Sequence, residues 1–142
     1  METLKFKIVN PNALAPEYAH EGDSGMDVRT VAGGMIAPMG RATIMLGIVA
    51  EIPVGYELQV RPRSGLASKA GVVAMFGTID QGYRGEIGVT LYNFNHSAFV
   101  FHAGDRIAQL VLAPAPRLQI QIVDEISETE RGNDGFGSTG VS

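Results

Sequence analysis

The sequence holds 142 residues, 45% of them hydrophobic and 18% charged, a composition that fits one folded domain with a respectable core and excludes a disordered chain. Eleven Lys and Arg against fifteen Asp and Glu give a net charge of −4, which argues against a general nucleic-acid or anionic-membrane binder; a small anionic ligand needs a local cluster of basic groups. With no cysteine there is neither a disulfide nor a thiolate metal ligand. No apolar run approaches the roughly 18 residues of a membrane span and the N-terminus carries no signal-peptide pattern, so a cytoplasmic location is expected.

Along the chain, 18 Gly and 7 Pro cut the sequence into short pieces. Gly25-Met26-Asp27 reads as a turn-like stretch, with Asp27 a structural anion paired with an arginine. Apolar residues then recur at or near period two through Ala42–Glu51 and at Tyr56, Leu58 and Val60, with Pro53-Val54-Gly55 as the turn between them. A turn or two of helix is the expectation at Ser64–Ala70. Thr78-Ile79 looks like a strand end and Asp80-Gln81-Gly82-Tyr83 like the tight turn of a β-hairpin. Period two returns at Ile87, Val89 and Leu91, at Phe99 and Phe101, and at Leu118, Ile120 and Ile122, with a turn at His102–Asp105 leading into Arg106–Leu112. This pattern predicts an all-β sandwich or barrel over residues 1–126. Beyond Ile126 the alternation stops, and in 127–142 only Phe136 and Val141 are sizeable apolar groups, so this stretch reads as a mobile arm unless something orders it.

Several stretches break the alternation with glycine and polar groups. In Arg63-Ser64-Gly65 a forked cation, a hydroxyl and an approachable backbone N–H suit an oxyanion, although a surface turn with a helix cap explains the triplet by itself. Asp80 at a turn and Tyr83 beside a glycine also have ordinary structural readings, and Gln109, on an otherwise apolar strand, needs a hydrogen-bond partner of some kind. The ending Gly132–Thr139 spells G-x-x-x-x-G-S-T, with Ser138 where a P-loop has lysine and no helix to follow, so a P-loop NTPase is excluded. Its backbone can still present N–H groups to phosphate, with Arg131 supplying charge and Phe136 a face for stacking. His20, His96 and His102 show no metal-ligand spacing, and no Ser-His-Asp arrangement is apparent.

Taken together and in order, five segments resemble the motifs of the trimeric dUTP pyrophosphatase (dUTPase) family: Glu21–Asp27, PRSGLA at Pro62–Ala67, GTIDQGYRGE at Gly77–Glu86, GDRIAQLV at Gly104–Val111 and RGNDGFGSTG at Arg131–Gly140. The resemblance implies a jelly-roll-like β subunit, a homotrimer with sites at subunit interfaces, and hydrolysis of dUTP to dUMP and pyrophosphate. That reaction limits uracil in DNA and supplies dUMP for dTMP synthesis. Carried over position by position, Asp80 is the catalytic aspartate that activates water. Arg63, Ser64 and Gly65 are phosphate binders, and Gln109 is a polar contact near the α-phosphate. Gly77, Thr78 and Ile79 offer backbone groups to uracil, Tyr83 lies under the deoxyribose, Arg131 meets the γ-phosphate, Phe136 stacks on uracil, and Gly137, Ser138 and Thr139 clamp phosphate. The family also implies Mg2+ held mainly by the triphosphate and waters, with no direct protein ligand.

Two departures stand out. Ala74-Met75-Phe76 precedes Gly77 where many relatives carry an asparagine followed by small residues or proline, so a side-chain uracil contact there does not carry over. Gly82 stands where an acidic residue is common. Two alternatives stay open on the sequence: a dCTP deaminase, or bifunctional deaminase, of the same fold, and a trimeric nucleotide-binding module that signals to a regulatory protein partner.

Overall fold

The computed structural model describes residues 2–140. It contains eleven strands and one short helix in the order β1 (Lys5–Ile8), β2 (Gly25–Arg29), β3 (Gly34–Ile36), β4 (Arg41–Met45), β5 (Ile48–Glu51), β6 (Tyr56–Arg61), α1 (Ser64–Ala70), β7 (Val72–Ala74), β8 (Gly77–Ile79), β9 (Gly88–Asn93), β10 (Phe99–Phe101) and β11 (Arg106–Pro114). The main sheet runs β2-β11-β6-β8, a second runs β4-β9-β7, and the pairs β1-β5 and β10-β3 complete the walls. Every pairing is antiparallel, as in a jelly-roll-like fold.

Alternation explains which faces meet. Along β9, Val89, Leu91 and Asn93 are buried while Gly88, Thr90 and Tyr92 are only half-buried, and Leu58 and Val60 of β6 are buried in the same way. The apolar ones among these, Val89, Leu91, Leu58 and Val60, form one core between the sheets with Met26, Val28, Val72, Ile79 and Leu110. Each fully buried Leu or Val contributes on the order of 1.5–3 kcal/mol over its exposed state. The buried polar Asn93 is satisfied, its Nδ2 donating to the carbonyls of Ile36 and Ser97 at 3.1 and 2.9 Å.

Four details depart from the sequence-based expectations. The run Ala42–Glu51 is two strands in different sheets, because Gly47 adopts φ +70, a left-handed bend few side chains tolerate. Gly25-Met26-Asp27 is a strand, not a turn: its residues pair with Val111, Leu110 and Gln109 of β11. The turn at Asp80–Tyr83 exists, with the Tyr83 N–H donating to the Asp80 carbonyl at 3.0 Å, but it does not close a hairpin. β8 pairs with β6, and the chain leaves the turn for β9 in the other sheet. Finally, Leu118, Ile120 and Ile122 belong to no strand of this chain and are 90%, 89% and 92% exposed.

Among the described residues no helix is long and apolar enough to cross a membrane. Val141 and Ser142 of the expected arm lie outside the described residues.

Candidate functional site

The residues singled out by the sequence fall into three groups on this one chain. The first lies where β2, β11 and the start of α1 converge, in a cleft lined by His20, Asp23, Gly25, Arg63, Ser64, Gly65, Arg106 and Gln109 above Asp27. Asp27 sits on β2 with its side chain 15% exposed and receives two arginines: Arg63 Nε at 3.2 Å from Oδ1 and Arg106 Nε at 3.5 Å from Oδ2. Arg63 also donates through Nη1 to the Arg106 carbonyl at 3.4 Å. One half-buried carboxylate thereby fixes two forked cations at the lip of a cleft, in a chain whose net charge is negative. The helix begins at Ser64, and its first-turn amides have no intrahelical acceptor. The arrangement can hold an oxyanion.

Gln109 completes this cleft. Its Nε2 donates to the Pro62 carbonyl at 2.9 Å, which supplies the partner that a polar side chain on this strand requires and ties β11 to the segment before α1. Gly25 makes room for it: a Cβ there would overlap the Gln109 Oε1 and lie 2.8 Å from Cδ. Only a glycine on β2 lets that amide lie flat across the cleft.

Sequence reasoning missed Arg106 and Gly25. In a regular strand, residues three apart point to opposite faces, so Arg106 and Gln109 should not share a cleft. They do so because the register slips between Arg106 and Ala108, a bulge that leaves Ile107 and Ala108 both buried and returns Gln109 to the face of Arg106. Two adjacent apolar residues, Ile107-Ala108, between two polar ones were the available signal.

The second group comprises Gly77, Thr78 and Ile79 on β8 and Asp80 and Tyr83 in the turn that follows. Asp80 is exposed, Tyr83 is 47% exposed, and the Tyr83 hydroxyl donates to the Glu86 carbonyl at 2.9 Å. Gly77 pairs with Val60 of β6, whose neighbour Arg61 faces Gln109 on β11. Asp80 continues β8 past Ile79, which is opposite Leu58, so it lies two strands across and four residues along from Gln109. At ~4.8 Å per strand and ~3.3 Å per residue, the two backbones are roughly 16 Å apart. Asp80 instead borders a second cleft with Glu57, Pro114 and Arg117.

The third group lies in the expected arm. Arg131, Phe136, Gly137, Ser138 and Thr139 line one small concavity of their own, built from consecutive turns. Arg131 Nε donates to the Asp134 carbonyl at 2.7 Å, and the Ser138 N–H donates to the Gly135 carbonyl at 3.1 Å. Phe136 holds a left-handed φ of +50 with its ring fully exposed. That conformation costs a non-glycine residue about 1–2 kcal/mol.

Comparison with known proteins gives one answer. A family model described as dUTPase matches residues 12–140. The deoxyuridine 5'-triphosphate nucleotidohydrolase of Picosynechococcus sp. is 52% identical over 97% of this chain and 99% of its own length. That of Alkaliphilus metalliredigens is 47% identical over 99% of both. Among solved structures, the Staphylococcus bacteriophage 80alpha dUTPase with dUPNHPP superposes with a TM-score of 0.94 at 31% identity, covering 99% of this chain and all of that one. With a family model matched over residues 12–140 and a relative 52% identical over nearly its whole length, this chain belongs to the dUTPase family.

Proposed function

We propose that the protein hydrolyses dUTP to dUMP and pyrophosphate at sites shared between the subunits of a homotrimer. The observation that carries this reading is the separation of the three residue groups: a triphosphate-binding cleft and the Asp80 turn lie roughly 16 Å apart on one chain, too far to act on one phosphorus atom. Each site therefore takes the Arg63–Gln109 cleft from one subunit and the Gly77–Tyr83 segment from another, and an arm closes over both. Leu118, Ile120 and Ile122 support the assembly, since an alternating apolar segment with no sheet partner among the described residues is suited to pairing with a neighbour's strand. Residues 1–126 are then the β-domain and 127–142 the closing arm, in a protein of the cytoplasm.

In this site Arg63, Ser64 and Gly65 hold phosphate oxygens, and Gln109, seated over Gly25, directs its free amide groups toward the α-phosphate and the attacking water. Asp80 takes the proton of that water as it attacks the α-phosphorus, an effect of roughly 10²–10⁴-fold for a positioned general base. Negative charge builds on the departing pyrophosphate, where Arg131 and the amides and hydroxyls of Gly137–Thr139 stabilise it. Gly77, Thr78 and Ile79 present backbone groups to uracil in pairing fashion, Phe136 covers the ring, and Tyr83 underlies the deoxyribose and leaves no room for a 2′-hydroxyl. Among the described residues no cluster of three or more His, Asp or Glu is placed to cage a cation, and both Asp27 oxygens are held by arginines. Such a donor set would suit Mg2+ carried in by the substrate, where the ion would neutralise phosphate charge.

The test is pyrophosphate and ammonia release with Mg2+ from dUTP, dTTP, UTP and dCTP, with Asp80→Asn alongside. Pyrophosphate from dUTP alone, lost in the variant while dUTP still binds, is expected. Ammonia from dCTP, or unchanged kcat in the variant, would refute the assignment.

A further inference from the structure

Tyr83 is held from two sides. Its N–H closes the turn on the Asp80 carbonyl at 3.0 Å, and its hydroxyl reaches forward to donate to the Glu86 carbonyl at 2.9 Å. Between those anchors the side chain lies directly over Gly85. A Cβ placed on Gly85 would sit 2.8 Å from Tyr83 Cε1 and overlap Cζ and the hydroxyl oxygen. The backbone of Gly85 is outside the left-handed region, so alanine there strains no dihedral and conflicts with the aromatic ring alone. Gly82, three residues earlier in the same segment, has nothing within 4 Å of its would-be Cβ. The steric demand belongs to position 85.

We propose that Gly85 is a specificity-determining residue that acts through Tyr83: its missing side chain sets how deep the ring lies and hence the height of the floor under the sugar. This rests on the placement of deoxyribose on Tyr83 given above. With one side of the ring resting on Gly85 and the side chain half exposed, the open side is the one a nucleotide meets. A Cβ at position 85 lifts the ring toward that open side. A deoxynucleotide, which fits closely, then loses contact geometry, whereas a ribonucleotide already refused by the ring has little left to lose. One methyl group in a close-fitting site typically changes discrimination by about 10–200-fold.

The experiment measures kcat/KM for dUTP and UTP in the wild type, Gly85→Ala, Tyr83→Ala and the double variant, with thermal melting of each. Gly85→Ala is expected to lower kcat/KM for dUTP about ten-fold or more, chiefly through KM, and to narrow the dUTP-over-UTP ratio. In the Tyr83→Ala background the same substitution is expected to change dUTP turnover by less than about two-fold, because the ring it displaces is gone. Equal loss in both backgrounds, or equal loss on both nucleotides, overturns the proposal. If Gly85→Ala alone fails to fold, the double variant decides: recovery of folding and of the Tyr83→Ala activity supports the steric account, and failure refutes it. A wild type inactive on dUTP would instead refute the parent reading, which separates the two outcomes.

Discussion

Replacing Asp27 with asparagine keeps the shape of the side chain and removes the charge that holds Arg63 and Arg106. At 3.2 and 3.5 Å, each attraction is about 5 kcal/mol at an effective dielectric of 20 before desolvation is subtracted. Both arginines keep part of their surface in water (34% and 42%), so solvent screening and the cost of burying the carboxylate cancel most of that. The net loss is about 2 kcal/mol, made up of two guanidinium groups left facing each other and an amide that can satisfy only one of them. For a chain of this size that lowers Tm by roughly 4–8 °C. The cleft should lose order as well as stability, and a shift of Arg63 by an ångström is enough to cost about ten-fold or more in kcat/KM for dUTP. Thermal melting at fixed protein concentration, with parallel kinetics, tests both parts. A Tm within about 1 °C of wild type would show that the two arginines are held by something other than Asp27.

The pair Lys5–Glu51 is a useful contrast, being shorter at 2.8 Å but 66% and 52% exposed. Lys5, by hydrogen bond and charge, holds the Glu51 carboxyl below its ordinary pKa, so the small stabilisation is present above the unfolded pKa and disappears as pH falls through the folded one. Glu51→Gln should therefore lower Tm slightly at neutral pH, with the difference vanishing in acid; a gap that widens in acid would refute this. Deleting Arg131–Ser142 should cut kcat/KM for dUTP by a hundred-fold or more (about 3 kcal/mol) while sedimentation still shows a trimer, and a monomer would show the arm to be chiefly structural. Changing Leu118, Ile120 and Ile122 together to Ser should give the opposite result, a chain that melts cooperatively but sediments below a trimer; an intact trimer would remove these residues from the interface.

Most strands were legible because their alternation is clean: Tyr56, Leu58 and Val60, or Val89 and Leu91, show period two and are paired in the structure as expected. The short helix at Ser64–Ala70 was legible too, as the stretch between Arg63 and the left-handed Gly71. What failed did so where a local signal is overruled by pairing. Gly25-Met26-Asp27 carries turn-like residues yet is held extended by β11, and Leu118–Ile122 carries a strand pattern with no partner among the described residues. For the candidate site, the sequence supplied residue types in an order resembling the dUTPase motifs, each with an ordinary structural reading when taken alone. Its geometry was not. Nothing in the letters Arg106-Ile107-Ala108-Gln109 states that a bulge puts the first and last on one face, and nothing in Gly25 states that Gln109 needs the space above it.

The exposed run from Leu118 to Ile126 also matters before any nucleotide is present. In the proposed homotrimer, a newly made chain displays Leu118, Ile120, Ile122 and Ile126 almost fully to water until it meets its partners, with a charged side chain between them only at Asp124 and Glu125. That is the profile of a segment that adheres to any free strand edge, its own kind included. Correct docking and faulty self-association both depend on encounters between chains, so high expression accelerates each of them together. The yield of usable protein is then decided by which encounter comes first, and a cell or an expression host that slows synthesis or lowers the temperature favours the ordered partner.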